Sequence, residues 1–143
     1  MRRLQIADKV IDDNSECYVI AEIGHNHQGR VETAKEMFRV AKDCGADAVK
    51  LQKRDNRGLY TRAAYNKSYD NENSYGATYG EHREFLEFEE KEYRELQAYA
   101  AELKVDFFAT AFDLKSADFL KGFDVPAYKI ASGDLKSIPL LQY

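Results

Sequence analysis

Residues 46–52 read ADAVKLQ, a short and nearly continuous apolar run that is typical of a β-strand buried on both faces of a sheet. Three other runs along the chain have the same character: residues 17–23 (CYVIAEI), 105–112 (VDFFATAF) and 126–131 (PAYKIA). The stretches between the four runs carry apolar residues at helical spacing, so strands and helices alternate. This order predicts an α/β fold in which parallel strands are joined by right-handed helical crossovers.

Three helices are predicted between these strands. The first carries a single apolar stripe, and Gly45 follows it where a left-handed C-terminal cap is needed. A second helix is expected over residues 89–104, and Asp113 is a suitable N-cap for a third that runs to about Leu120. Before the first strand, residues 4–6 and 9–11 flank Ala7-Asp8 and predict a small β-hairpin. The stripe of the first helix consists of Val31, Ala34, Met37, Phe38, Ala41 and Cys44.

The composition excludes several classes of protein. The 143 residues are 44% hydrophobic and 32% charged, and no apolar run approaches the roughly 18 residues of a membrane span. The net charge of -4 predicts no general attraction for nucleic acid or anionic lipid, so any bound anion must be held locally. Cys17 and Cys44 show no CxxC spacing, and Leu4 to Val10 lacks the apolar core of a signal peptide. We therefore expect a cytoplasmic protein.

Polar side chains occur at the C-terminal end of every predicted strand, whereas the N-terminal ends carry nothing comparable. In parallel α/β folds, and above all in β/α barrels, the active site is assembled at this edge of the sheet. The pattern is therefore a prediction of a site. Its candidate residues are Glu22, Lys50, Gln52, Thr110, Lys129 and Ser132.

The two lysines indicate what this site binds. An ammonium inside an apolar strand needs an anionic partner, and two lysines on two strands require a ligand with two or three negative charges. The alternative is an internal ion pair of Lys50 or Lys129 with Glu22 or Asp134. Ser132 and the following glycine fit either a phosphate cradle or an ordinary turn. Glu22 is open to acid–base catalysis, to a substrate hydrogen bond or to a structural ion pair.

Two further segments leave alternatives open. Residues 53–81 show no convincing helical or strand period and contain five of the ten tyrosines, which favours a binding loop over a mobile connection or an oligomer contact. The spacing of His25 and His27 invites a metal hypothesis. A tight loop between glycines explains these residues better, because zinc sites normally show three or four ligands and His82 is the only other histidine. We therefore predict no metal ligand in this chain.

Four motifs of the sequence resemble the sialic acid synthases, also called N-acetylneuraminate synthases, with their legionaminate and pseudaminate synthase relatives. They are AEIGHNHQG at residues 21–29, AVKLQ at 48–52, FATAF at 108–112 and AYKIASG at 127–133. The resemblance implies a (β/α)8 barrel that condenses phosphoenolpyruvate with an N-acetylated amino sugar such as N-acetylmannosamine. It also implies a divalent metal, manganese or magnesium, and a homodimer.

The resemblance also implies roles for individual residues. The phosphate and carboxylate of phosphoenolpyruvate would contact Lys50, Thr110, Lys129 and Ser132. Glu22 and Gln52 would face the sugar, and Glu22 would be the candidate for proton transfer. Asp134 stands where the family commonly has Glu, so a sugar contact from this position has a shorter reach.

Length is the main departure from the family, because a complete barrel needs about 250 residues. We therefore expect residues 1–15 to form a hairpin extension and residues 16–143 the first half of a barrel, without the metal-binding histidines or the C-terminal antifreeze-like domain. Such a chain is a fragment, a truncated product or a half that pairs with another chain, and is expected to be inactive alone. The alternatives are a non-catalytic half-barrel that binds a phosphorylated metabolite or dimerises, and a flavodoxin-like phosphate-binding domain.

Overall fold

A β-hairpin and a four-stranded parallel sheet form the framework of the computed structural model, which describes residues 2–143. The hairpin has a two-residue turn at Ala7-Asp8 and joins β1 (Arg3–Ile6) to β2 (Lys9–Asp12). The sheet has the order β3-β4-β5-β6, so neighbours in sequence are neighbours in space. Its strands are β3 (Ile20–Gly24), β4 (Ala48–Lys53), β5 (Asp106–Ala111) and β6 (Tyr128–Ile130). The predicted hairpin and parallel sheet are thus confirmed.

Helices connect the strands as the alternating pattern predicts. Gly45 has a φ of +88°, as expected for the left-handed residue after the first helix. Asp113 caps its helix, because its carboxylate accepts a hydrogen bond from the Ser116 amide at 2.8 Å. The helices are α1 (Val31–Asp43), α2 (Asn56–Leu59), α3 (Arg62–Tyr65), α4 (Tyr79–Phe85), α5 (Glu90–Leu103), α6 (Leu114–Lys121) and α7 (Ile138–Gln142), with a 3₁₀ helix at Ser132–Lys136.

The outer strands are shorter than the apolar runs predict. The first apolar run begins at Cys17, but β3 begins at Ile20 because Val19 is hydrogen-bonded to Asp47, just before β4, through both main-chain and side-chain groups. The last run begins at Pro126, which has no N–H for a ladder hydrogen bond, and β6 has only three residues. Apolar composition therefore located the strands but not their ends.

The segment 53–81 is folded rather than irregular, which corrects the expectation of a long loop without regular structure. It contains α2, α3 and the start of α4, and Thr78 begins α4 with a reciprocal capping box to Glu81. Four of its five tyrosines lie against one another or against His82, namely Tyr60, Tyr69, Tyr75 and Tyr79. Ring centroids are 5.2 Å apart for Tyr60 and Tyr79, and 4.6 Å apart for Tyr69 and His82. Helices of four residues are too short to show a period in sequence.

One face of the parallel sheet packs against α1, α5 and α6 and forms the hydrophobic core. The strand residues on this face alternate with polar or aromatic residues that point the other way. The core residues from the strands are Ile23, Val49, Leu51, Phe107, Ala109 and Ala111, and those from the helices include Ala34, Phe38, Tyr93, Leu96, Ala100 and Leu120. None of the helices described within residues 2–143 has the length and apolarity needed to cross a membrane.

The turn after β3 is anchored by His27. Its ring is 1% exposed, stacks on Phe88 with centroids 4.0 Å apart, and accepts a hydrogen bond from the Gly29 amide at Nδ1. Gly29 has a φ of +70°, and a Cβ atom at that position would lie 2.6 Å from the Phe85 carbonyl oxygen. The turn is therefore fixed by a buried ring and by a close approach to the end of α4.

We expect Gly29→Ala to lower the free energy of unfolding by about 2–4 kcal/mol, because left-handed backbone strain adds to a clash with main chain that cannot easily move. Gly45→Ala is the matched control, because it also has positive φ but its Cβ would meet nothing within 4 Å. The control should lower the free energy of unfolding only through left-handed backbone strain, by about 1–2 kcal/mol. Chemical denaturation measures both values, and equal losses for the two variants would contradict the proposed close contact.

Burial, followed by the charge of His25, lowers the pKa of His27 from 6.5 to about 4. Between these two values the unfolded chain binds the proton and the folded chain does not, so stability falls as the pH drops from 6.5 towards 4. The titration of His27 should lower the free energy of unfolding by up to about 3 kcal/mol over that pH range. The measurement is urea denaturation at a series of pH values.

His27→Asn keeps an acceptor for the Gly29 amide but removes the titration, and should flatten this part of the pH dependence. His82→Asn is the matched control, because the Nδ1 atom of His82 also accepts a main-chain hydrogen bond, from Tyr75. Burial lowers the pKa of His82 too, so this control should lose only the contribution of His82 to the pH dependence of stability. Identical pH profiles for wild type and His27→Asn would show that His27 does not titrate in this way.

Candidate active site

The predicted site residues of the strands lie on one face of the sheet, opposite the hydrophobic core. Parallel pairing places Glu22 beside Lys50, Gln52 beside Thr110, and Thr110 beside Lys129. Residues that are paired in register point to the same side of a sheet, so the whole set shares a face. We call this surface the site face and define it by Glu22, Lys50, Gln52, Phe108, Thr110 and Lys129.

Lys50 lies at the centre of the site face and is only 4% exposed. Its ammonium donates a hydrogen bond to Thr110 Oγ1 at 2.9 Å and forms an ion pair with the Glu22 carboxylate. The Glu22 side chain is 51% exposed, so the pair is open to solvent on one side. The ion-pair alternative for Lys50 is therefore present in the structure, and Thr110 is the second partner of the same ammonium.

Lys129 lies on the other side of Thr110 and is exposed. Its ammonium donates to the carbonyl oxygen of Ile130, and no carboxylate within residues 2–143 forms an ion pair with it. The alternative in which Lys129 pairs with Asp134 or Glu22 is thus wrong for the ligand-free chain. The two lysines lie on the strands on either side of Thr110, and only Lys50 has a carboxylate partner.

Ser132 and Asp134 lie beyond the end of β6, in the 3₁₀ helix. Ser132 is exposed at the first position of this helix, as expected for a turn that follows a strand. The Asp134 side-chain atom Oδ2 is buried without a hydrogen-bond partner. No described contact joins either residue to the lysines, so the structure unites the strand residues of the predicted site but not these two.

Gly24 brings Glu22 and Gln52 together at the end of β3. This glycine has a φ of +56°, and the strand pairing is irregular between Glu22 and Gly24. A Cβ atom at position 24 would lie 3.3 Å from Glu22 Oε1 and 3.5 Å from Gln52 Nε2. The carboxylate and the amide predicted to face the sugar therefore converge above a residue without a side chain.

A buried polar network next to the site face was not predicted from the sequence. Its central residue is Glu87, whose side chain is 5% exposed and accepts a hydrogen bond from the Arg54 main-chain amide at 3.2 Å. His25 Nε2 lies 3.3 Å from Glu87 Oε1, and Lys53 Nζ lies 3.7 Å from Oε2. Arg54 follows Lys50 and Gln52 at the same two-residue spacing. That spacing was the signal in the sequence that could have identified Arg54, although Arg54 lies one residue beyond the end of β4.

The described residues give no support for a metal site at His25 and His27. Within residues 2–143, no three His, Cys, Asp or Glu side chains are grouped to hold a metal ion. The Nδ1 atom of His27 is occupied by the Gly29 amide, and His25 lies between Glu87 and Arg83. These residues do not fit the divalent metal that the resemblance implies. A metal in this family therefore stays a prediction from the resemblance alone.

Comparison with known proteins finds relatives that are named as synthases of sialic and legionaminic acids. It is 48% identical to the N-acetylneuraminate-9-phosphate synthase of Drosophila melanogaster over 137 residues, which are 96% of this chain and 36% of that protein. It is 37% identical to the N,N'-diacetyllegionaminic acid synthase of Legionella pneumophila over 128 residues, 89% of this chain and 36% of that protein. The chain thus spans about a third of the length of these curated relatives.

A solved structure agrees with the sequence comparison. The N-acetylneuraminic acid (sialic acid) synthetase of Leptospira borgpetersenii, crystallised with citrate, superposes with a TM-score of 0.80 at 28% identity. The match covers 99% of this chain and 45% of that one. The strand and helix order is that of the first half of a (β/α)8 barrel, as predicted. The pattern of the NeuB family matches residues 37–143, and we conclude that the chain belongs to the NeuB family.

Proposed function

We propose that this chain supplies the phosphoenolpyruvate-binding half of a synthase that makes a nonulosonic, sialic-type acid from an N-acetylated amino sugar. The observation that carries the proposal is the position of Thr110 between two lysines on the site face. Lys50 is buried at 4% exposure and contacts the Thr110 hydroxyl, and Lys129 is paired in register with Thr110. Two ammonium groups and a hydroxyl suit a small acid that carries both a phosphate and a carboxylate.

The ion pair between Lys50 and Glu22 is compatible with this role. Glu22 is half exposed and therefore keeps much of its hydration, whereas the Lys50 ammonium is buried and gains from any anion beside it. A ligand phosphate or carboxylate on the site face would share or replace the Glu22 contact. Lys50 would then hold the ligand, and Glu22 would be released towards Gln52 and the acceptor sugar.

The proposed reaction joins three carbons of phosphoenolpyruvate to the aldehyde carbon of the open-chain sugar. C3 of phosphoenolpyruvate attacks that carbon, the aldehyde oxygen takes a proton, and a water oxygen adds at C2. The C2–O bond to phosphate then breaks, which leaves a 2-keto acid and inorganic phosphate. Glu22 is the group placed to move a proton at the aldehyde oxygen, and Gln52 offers an amide to a sugar hydroxyl or acetamido group. Ser132 and Asp134 are proposed to complete the phosphate and sugar contacts.

The form of the acceptor sugar follows from the position of the phosphate on the product. In a nine-carbon product, the first three carbons come from phosphoenolpyruvate and C9 is the sixth carbon of the sugar. The phosphate of phosphoenolpyruvate leaves during the reaction, so a product phosphorylated at C9 must take that group from its acceptor. The fly relative is named as such a 9-phosphate synthase. We therefore include N-acetylmannosamine 6-phosphate beside N-acetylmannosamine as candidate acceptors.

The main assay compares the 143-residue chain with the complete reading frame that encodes it. Each is incubated with phosphoenolpyruvate, either acceptor, and manganese or magnesium, and the keto acid and released phosphate are measured. We expect phosphoenolpyruvate binding by both and turnover only by the complete frame. Absence of keto acid from the complete frame would contradict the synthase proposal. A homodimer and a cytoplasmic location belong to the same proposal.

We expect Lys50→Met and Lys129→Met each to weaken phosphoenolpyruvate binding at least about tenfold, because each removes one charge-assisted contact worth roughly 1.5–3 kcal/mol. Isothermal titration of the 143-residue chain measures the dissociation constants. Lys91→Met on the exposed face of α5 removes the same charge far from the site face and should have no effect. A normal affinity in both site variants would exclude the anion site and leave the Lys50 ion pair as a structural contact.

Glu22→Gln separates the two interpretations of Lys50. If an anion competes with Glu22 for the Lys50 ammonium, the variant should bind phosphoenolpyruvate about three- to tenfold more tightly, because each tenfold step is about 1.4 kcal/mol of lost competition. In the complete frame the same variant should lose most of its turnover. Weaker phosphoenolpyruvate binding by Glu22→Gln would mean that the carboxylate supports the anion site and does not compete with it.

A further inference from the structure

Two arginines next to the site face form a second positively charged cluster. The Arg54 guanidinium donates from Nη2 to Gln52 Oε1 at 2.6 Å and lies 3.7 Å above the centre of the Phe112 ring. Arg83, on α4, donates from Nε to the Tyr79 hydroxyl at 3.0 Å, and its Nη1 lies 3.4 Å from His25 Nδ1. The first arginine thus directly contacts a predicted sugar-binding residue.

The cluster contains more positive charge than the neighbouring carboxylates balance. Glu87 is shared by Lys53, Arg54 and His25, and its distance to Arg54 Nη1 is 4.0 Å, too long for a hydrogen bond. Lys53 has a further partner in Glu89, whose side chain is 77% exposed. Within the described residues, Arg83 is in no ion pair with a carboxylate. A ligand anion would complete the charge balance.

The Arg54 guanidinium has a donor that no hydrogen bond within the described residues uses. The Arg54 side chain is 7% exposed, and its Nη1 atom is buried with no hydrogen-bond partner. Buried donors are almost always paired in folded proteins, and a guanidinium pairs best with the oxygens of a phosphate or carboxylate. An incoming oxyanion therefore has a donor available that the described chain leaves unused.

The ionisation of nearby groups agrees with a local positive potential. Burial alone would raise the pKa of the Tyr79 hydroxyl, but hydrogen bonds from Tyr60 and Arg83 and the charges of Arg83 and Arg54 lower it overall. Burial, together with the charge of Arg83, lowers the pKa of the Arg54 guanidinium. The same field that favours a tyrosinate favours a bound oxyanion.

We propose that Arg54 and Arg83, with the Tyr79 hydroxyl, bind a phosphate monoester on the end of the acceptor sugar that is remote from its aldehyde. The inference rests on the proposed function and assigns residues to acceptor recognition. The Arg54 guanidinium donates to Gln52 Oε1, and Gln52 Nε2 and Glu22 Oε1 both lie within 3.5 Å of the position that a Cβ atom on Gly24 would occupy. Gln52 thus lies between Glu22 and Arg54, which would place the aldehyde of an open-chain sugar phosphate near Glu22 and its phosphate at Arg54.

The test measures acceptor binding to the 143-residue chain by isothermal titration. The ligands are N-acetylmannosamine 6-phosphate, N-acetylmannosamine and inorganic phosphate. We expect the sugar phosphate to bind at least tenfold more tightly than the sugar or inorganic phosphate alone. Arg83→Gln should remove most of this preference while leaving phosphoenolpyruvate binding unchanged. Arg54→Lys keeps the charge but not the paired donors, and should reduce the preference by a smaller factor.

Arg39→Gln is the matched control, because Arg39 lies on the outer surface of α1 in ion pairs with Glu36 and Asp43. It should keep the full preference, and thermal melting verifies that every variant is folded. An undiminished preference in Arg83→Gln would overturn the assignment, as would inorganic phosphate binding as tightly as the sugar phosphate. Absence of phosphoenolpyruvate binding by the wild-type chain would instead contradict the proposed function. A separate titration with phosphoenolpyruvate in the same experiment measures this.

Discussion

The registered pairing of β4 with its two neighbours is the constraint on which the candidate site depends. β4 is paired along its whole length with β5 and over residues 48–51 with β3, and the pairing sets Lys50 between Glu22 on one side and Phe108 on the other, with Thr110 one layer above. A shift of one residue in this register would turn Lys50 towards the hydrophobic core and Leu51 towards the site face. Packing of Val49 and Leu51 against α1 and α5 therefore also fixes the position of the charged groups opposite.

Burial alone does not distinguish the lysine of the site face from the lysine on the core side of this strand. Lys50 and Lys53 are 4% and 6% exposed, but they are three positions apart in the strand, so they lie on opposite faces of the sheet. The Lys53 ammonium donates to the Phe88 carbonyl oxygen at 2.7 Å and lies 4.7 Å from the centre of the Phe119 ring. It anchors the chain between α4 and α5. Only Lys50 faces the surface that carries Glu22, Gln52 and Thr110.

The sequence predicted the fold and the shared face of the strand residues because both follow from periodicity. Alternating residues such as Lys50 and Gln52 must share a face, and the carboxyl ends of parallel strands must share an edge. The partner of each charge was not predictable, because Glu22 was open to several roles and only the strand register decides that it meets Lys50. The network around Glu87 was missed for the same reason: it joins His25, Glu87 and the pair Lys53-Arg54, which are far apart in sequence and meet only after folding.

The distribution of charge explains how an acidic chain can offer sites for anions. The net charge is -4, yet Lys50, Lys129, Arg54 and Arg83 lie on the site face or beside it, where Glu22 and Glu87 are the carboxylates that contact them. Many acidic residues pair instead on the helices, as Glu36 and Asp43 do with Arg39. Exposed pairs of this kind contribute little to stability, but they neutralise one another at short range. The uncompensated field is thus concentrated at one edge of the sheet, where local geometry rather than the charge of the whole protein would attract an anion.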